Sequence, residues 1–91
     1  MSVIKEKIGI TELLAGLAEE AAELAQAALK YRRALDKTNP TPIDEDTAYE
    51  RLLEEYADVN LYFSMLPVNM QYVSEVMERK HKRWEERLNN N

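Results

Sequence analysis

The chain contains no cysteine, only 2 glycines and 3 prolines, and a single histidine among its 91 residues. The absence of cysteine excludes disulfides and thiolate metal sites and is compatible with a cytoplasmic protein. So few glycines and prolines leave few turns. Charged residues interrupt every apolar run and the N-terminus lacks the apolar stretch of a signal peptide, so we expect no membrane-crossing segment. A net charge of -5 argues against general nucleic-acid binding.

The residues that are present are typical of a small, helix-rich globular chain, with 45% hydrophobic and 32% charged residues. Residues 1–91 form one domain. A domain of this size buries only about two-thirds of the surface of its unfolded chain. We therefore expect an all-α antiparallel bundle of three main helices plus a short N-terminal helix, completed by oligomerisation into a homo-dimer or a tetramer.

The first half of the chain predicts two helices. Ser2 is placed to cap a short helix that runs through Ile8 and is ended by Gly9. Thr11 is then predicted to cap a long helix to about Leu35, because alanine and leucine, the best helix formers, dominate this stretch.

The second half predicts a loop and two further helices. Residues 36–46 contain two prolines and several turn residues, and Asp44 or Asp46 can cap the helix that follows. Pro67 should end that helix after Leu66. Asn69 is expected to cap a last helix over residues 70–88, and residues 89–91 are expected to fray.

Two acidic motifs lie within otherwise apolar helical patterns: Glu20-x-x-Glu23 and Glu55-x-x-Asp58. Carboxylates three residues apart on a helix share a face. At about 100° per residue, Glu20 points into the arc that a bundle would bury, and the other three flank such an arc. Burying these carboxylates without a counter-charge is costly, and Mg2+ prefers oxygen ligands of this kind. The motifs therefore predict a magnesium site between two antiparallel helices.

The order of these segments resembles a known enzyme family. The segments are LAEEAAELAQAALKYRRAL, NPTPID, LLEEYADVNLYF and VMERKHKRWEERL. Together they resemble a compact MazG-like nucleotide pyrophosphohydrolase, one of the all-α nucleoside triphosphate pyrophosphatases. The resemblance extends over residues 14–88.

The resemblance implies hydrolysis of a nucleoside triphosphate, either ribo or deoxy, to the monophosphate and pyrophosphate. It implies that Glu20, Glu23, Glu55 and Asp58 bind Mg2+, for which Mn2+ can substitute. A carboxylate that the metal does not fully engage can accept a proton from the attacking water. Glu20 and Glu23 are the candidates for this catalytic role, and the sequence does not decide between them.

Four residues are candidates for substrate binding. Lys30 lies two turns beyond Glu23 on the same side of its helix, and Lys80 and Arg83 are three residues apart on the basic last helix. These cations suit the pyrophosphate group. Tyr62 follows Asp58 by one turn, and its hydroxyl is placed to bond a phosphate, as the resemblance also suggests.

Two other functions fit the same sequence. One is a non-catalytic helical interaction module in which the acidic residues only solubilise the helices. The other is an enzyme like phosphoribosyl-ATP pyrophosphohydrolase, which shares the acidic helices but usually lacks so basic a final helix. Retention of carboxylates in the apolar arc favours an enzyme over a module, since apolar residues there would stabilise a bundle better.

Overall fold

The computed structural model describes residues 7–90 as three helices, which confirms the all-α class. These are α1 (Ile10–Asp36), α2 (Glu45–Met65) and α3 (Met70–Asn89). The short helix predicted from Ser2 falls mainly on residues 1–6, outside the described part of the chain, as does Asn91 in the predicted frayed tail. None of the described helices combines the length and the apolar character that crossing a membrane would require.

The start of α1 differs from the prediction. Gly9, not Thr11, is the N-cap, and its carbonyl accepts the N–H of Leu13 at 3.0 Å. The Thr11 hydroxyl donates instead to the Glu12 carboxylate at 2.9 Å, one residue along the first turn. Thr11 cannot cap the helix because Ile10 before it is already helical.

The other helix boundaries lie close to their predicted positions. Asp44 caps α2 by accepting the Thr47 N–H at 3.1 Å, and Asn69 caps α3 by accepting the Tyr72 N–H at 3.0 Å. Both are confirmed caps in which a side-chain oxygen satisfies a free amide of the first turn. The helix before Pro67 ends at Met65, one residue earlier than expected.

Helices α1 and α2 form an antiparallel hairpin. At the open end, Leu13 packs with Met65 and Leu66 in the principal apolar cluster. At the loop end, the rings of Tyr31 and Tyr49 lie 5.6 Å apart at a tilt of 50°. The N-terminal end of α1 therefore lies beside the C-terminal end of α2, and the middles of the two helices lie side by side.

Helix α3 does not pack extensively on the α1–α2 hairpin. Within residues 7–90, α1 against α2 is the only extensive helix–helix contact, and α3 contains no buried residue. Met77 is 64% exposed and Trp84 61% exposed. The radius of gyration is 16.9 Å, whereas a compact chain of this length has a value of about 12 Å. The antiparallel arrangement is therefore shown for α1 and α2, and completion of the bundle by oligomerisation stays a prediction.

Candidate functional site

The middle of α1 places a carboxylate where two packed helices normally meet through apolar groups. Glu20 lies seven residues beyond buried Leu13 and seven before buried Ala27, two turns of helix in each direction. It therefore shares the face of α1 that contacts α2. Its side chain is half-buried.

Helix α2 supplies two further carboxylates opposite Glu20. Glu55 is half-buried and Asp58, one turn later, is exposed. Each of these three residues offers a carboxylate oxygen, and the three oxygens lie within 4.8 Å of one another. We call Glu20, Glu55 and Asp58 the acidic cluster. The structure thus brings together three of the four residues in the predicted Mg2+ site.

Glu23, the fourth predicted ligand, is exposed and is not among these three. It lines an open cavity beside the cluster, as does Glu55. Glu23 is close enough to the cluster for its charge to affect Glu20. The two residues of the first motif are therefore distinguished by their positions, one inside the cluster and one at its edge.

The electrostatics of the cluster are unfavourable to a charged Glu20. Loss of hydration raises the pKa of Glu20 above its ordinary value of 4.5, and the negative charges of Asp58, Glu55 and Glu23 raise it further. A hydrogen bond with Asp58 acts in the same direction, since it favours the protonated form. A cation held between these carboxylates would oppose the effect of the negative charges and lower the pKa of Glu20.

The donor set suits a hard divalent cation. All three groups are carboxylates, the ligands that Mg2+ and Ca2+ prefer. Two oxygens on opposite sides of one Mg2+ lie about 4.2 Å apart, because each bond is about 2.1 Å long. The separations in the cluster have an upper limit of 4.8 Å, which exceeds that span by only about 0.6 Å.

The cavity beside the cluster has a volume of about 310 Å³ and contains cations from both helices. Lys30 of α1, a predicted substrate-binding residue, lines it, and so does Arg51 of α2. Arg51 was not predicted from the sequence. The signal was present, however, because Arg51 precedes Glu55 by four residues and hence lies on the same face of α2.

Tyr62 lies on the same side of the hairpin as the acidic cluster, and its ring packs closely against α1. A Cβ placed on Gly16 would lie 2.5 Å from the Tyr62 hydroxyl oxygen, so the ring occupies the space that only a glycine leaves. Tyr62 also borders a second cavity, of about 520 Å³, together with Glu19. Its predicted role at a phosphate stays a prediction, and its packing role is evident.

Lys80 and Arg83, the other predicted substrate-binding pair, are on α3. Both are exposed, and neither is among the residues that line the cavity beside the acidic cluster. Because α3 does not pack on the hairpin, the structure does not bring this pair to the cluster within one chain. Among the predicted cations, only Lys30 lines the cavity.

Comparison of the chain with protein-family models, with curated proteins and with solved structures gave no match.

Proposed function

We propose that the protein is a Mg2+-dependent hydrolase that cleaves a nucleoside triphosphate, ribo or deoxy, to the monophosphate and pyrophosphate. The observation that carries the proposal is the convergence of Glu20, Glu55 and Asp58 from two antiparallel helices, with oxygens within 4.8 Å. A bundle gains nothing from like charges at a helix contact. Such a cluster is useful when it binds a cation. The resemblance to MazG-like enzymes implies that this cation is Mg2+ and that the substrate is a nucleoside triphosphate.

In this proposal the acidic cluster would hold Mg2+, or Mn2+ in its place. The ion, when bound, lowers the pKa of a coordinated water and neutralises charge on phosphate oxygens. Glu23 is outside the cluster yet faces the cavity, so its carboxylate is the better placed of the two predicted catalytic residues to accept the proton of the attacking water. Glu20 acts as a ligand.

The cavity cations would hold the leaving group. Water attacks the α-phosphorus, the bond from that atom to the bridging oxygen breaks, and pyrophosphate departs with the electron pair. Lys30 and Arg51 face this cavity from opposite helices and supply charge-assisted hydrogen bonds to the departing oxygens. Lys80, Arg83 and Tyr62 remain proposed substrate contacts. For Lys80 and Arg83 the proposal requires either movement of α3 or a second copy of the chain.

The direct test is to screen nucleoside triphosphates with Mg2+ and to follow pyrophosphate release. Glu55→Gln and Asp58→Asn should abolish turnover and leave the helical circular dichroism signal unchanged. Glu54→Gln is the matched control, because Glu54 is the exposed neighbour of Glu55, lines the same cavity and is not part of the cluster. Undiminished turnover in both cluster variants would refute the assignment of ligands.

The outcome also separates the enzyme from the interaction module. The exposed apolar side chains of α3 are the observation that favours a module, since surfaces of that kind usually contact a partner. No turnover of any triphosphate, with no effect of Mg2+ on thermal unfolding, would favour the module.

A further inference from the structure

The loop end of the α1–α2 hairpin contains a cationic cavity of about 350 Å³. Lys30 and Arg33, from the last two turns of α1, line it together with Asn39, Thr41 and other residues of the loop that leads to α2. Among residues 7–90, no carboxylate lines this cavity, although acidic residues outnumber basic ones by 17 to 12 in the chain as a whole. We call it the loop cavity. Its charge favours an anion.

Arg33 is half-buried, and the loop fixes the orientation of its guanidinium. The Nε of Arg33 donates a hydrogen bond to Oδ1 of Asn39 at 3.1 Å, and Nδ2 of Asn39 donates to the carbonyl of Lys30 at 3.4 Å. Within the described part of the chain, Nε is the only guanidinium nitrogen that bonds a protein atom, and no carboxylate forms an ion pair with Arg33. The two Nη groups are therefore oriented and available to a ligand.

The backbone of α1 does not need these cations at its C-terminus. Lysine and arginine side chains near the end of a helix often bond its last free carbonyls. Here the carbonyl of Arg33 accepts the N–H of Thr38 at 3.0 Å and also that of Lys37. The carbonyl of Lys30 accepts the amide of Asn39. These two carbonyls are satisfied by the loop, so the side chains of Lys30 and Arg33 are left to another partner.

The loop cavity is separate from the acidic cluster. Arg33 follows Glu20 by thirteen residues, which corresponds to about 20 Å along the axis of α1. Lys30 lines both the loop cavity and the cavity beside the cluster, whereas Arg33 lines only the former of these two. A ligand that contacts Arg33 would thus occupy a site of its own.

We propose that the loop cavity binds the phosphate group of a small molecule. The paired Nη groups of Arg33 match two oxygens of one phosphate, and Lys30 supplies a second positive charge. A phosphate monoester carries a charge of about -1.5 to -2 at pH 7, which these two cations balance. The exposed hydroxyl of Thr41 offers a further donor from the loop. The volume is also in the range of about 300 to 1,000 Å³ that is typical of small-molecule sites.

The loop that completes this site is restrained before a ligand arrives. Pro40 and Pro42 fix the backbone φ on either side of Thr41. Such restraint reduces the entropy that binding must remove. The phosphate site does not depend on whether the acidic cluster hydrolyses a nucleotide.

Isothermal titration calorimetry with inorganic phosphate tests the proposal. The protein is kept free of metal, so that phosphate cannot bind through an ion at the acidic cluster, and the ionic strength is held constant. We expect saturable binding at one site per chain. Arg33→Gln should weaken it at least about tenfold, because charge-assisted hydrogen bonds are lost. Arg32→Gln removes the same charge from the exposed neighbouring residue, which lines neither cavity, and should leave binding unchanged.

Adenosine monophosphate distinguishes the two sources of such a phosphate group. If it binds more tightly than inorganic phosphate and shows the same loss in Arg33→Gln, the ligand of the site is a nucleotide. If it binds more weakly, with that loss, the site takes the free anion. Failure of both compounds to bind the wild-type protein saturably, or equal weakening in Arg33→Gln and Arg32→Gln, would overturn the proposal.

NMR of the wild-type protein gives a second measurement, which is needed if Arg33→Gln disturbs the loop by losing its bond to Asn39. Inorganic phosphate should shift the Nε–H signal of Arg33 and the backbone amide signals of Asn39 and Thr41. The amide signals of α3 should not move. Shifts confined to the basic residues of α3 would exclude the loop cavity as the phosphate site.

Discussion

Glu20 shows how one residue can oppose the stability of its own fold. It lies on the face of α1 that contacts α2. Leu13 and Ala27, two helical turns before and after it on the same face, are both buried. Three carboxylates surround it and raise its pKa, after the effect of lost hydration. A group whose pKa is raised by folding contributes stability while it is protonated and loses that contribution as pH rises.

Glu20→Gln should therefore stabilise the metal-free protein at neutral pH. In EDTA at pH 7 we expect a higher melting temperature than wild type, because the variant removes a charge that the folded state disfavours. The gain should shrink as the pH falls through the raised pKa and vanish below about 4.5, where Glu20 is protonated in both states. Glu19→Gln, on the exposed neighbour, is the control and should show little change. A loss of stability at pH 7 would contradict the electrostatic account.

Arg51 offers a prediction for the proposed reaction. Removing one charge-assisted hydrogen bond costs about 1.5 to 3 kcal/mol. Arg51→Gln should accordingly lower kcat/KM roughly ten- to hundredfold in a pyrophosphate-release assay. Arg32→Gln changes the same residue type on an exposed part of α1, outside the cavity lining, and should leave kcat/KM unaltered. Equal losses in the two variants would indicate a general charge effect rather than a contact with the substrate.

The residues of the site were predictable to the extent that helical spacing determines on which face of a helix each side chain lies. Glu20 and Glu55 share the faces of buried residues in their own helices, and this can be read from the sequence. Asp58, and not Glu23, is the third member because of the register in which α1 packs along α2. The periodicity of a single helix does not determine that register. The same register decides that Lys30 and Arg51 line one cavity.

At the scale of the helices, the packing of Tyr62 of α2 against α1 depends on Gly16. The Tyr62 ring fills the position of a Cβ at residue 16. Gly16→Ala should raise helix propensity by about 1 kcal/mol, yet it forces the ring to move, at a cost of about 1 to 3 kcal/mol. We expect a net loss of about 1 kcal/mol in the free energy of unfolding, measured by denaturant titration.

The companion variant Tyr62→Leu tests this explanation. Leucine lacks the outer ring atoms and the hydroxyl that would meet the new methyl group. In the Tyr62→Leu background, Gly16→Ala should stabilise the protein by about 1 kcal/mol, because only the propensity gain remains. If Gly16→Ala is equally destabilising in both backgrounds, the close contact with Tyr62 is not its cause.

The starts of α2 and α3 followed from local chemistry, although the sequence left Asp44 and Asp46 as alternative caps for α2. Asp44 and Asn69 each accept an amide of the turn that follows, as their positions before an apolar pattern predicted. Thr11 failed because Gly9 and Ile10 begin the helix earlier. The direction of α3 after Pro67 was beyond such rules, since its apolar stripe indicates that it needs a partner but not which one.

On the scale of the whole molecule, the fold is a thin, open plate rather than a closed bundle. Its extents are 44 × 39 × 18 Å, and its apolar residues are distributed between the hairpin contact and exposed positions on all three helices. Ligands that bind only the folded state add to the stability that this small core provides. The proposed Mg2+ is one such ligand.

Mg2+ should raise the melting temperature of the protein, because its proposed ligands come from both α1 and α2 and are brought together only on folding. At a free concentration one hundred times the dissociation constant, the added stability is about 2.7 kcal/mol. Glu55→Gln should lose this response and Glu54→Gln should keep it. The response should also weaken as the pH falls through the raised pKa of Glu20, because a proton then competes with the metal for that carboxylate. Scanning calorimetry at several pH values, with Mg2+ or with EDTA, measures both effects. A rise of equal size in Glu55→Gln and wild type would show that Mg2+ acts elsewhere on this acidic chain.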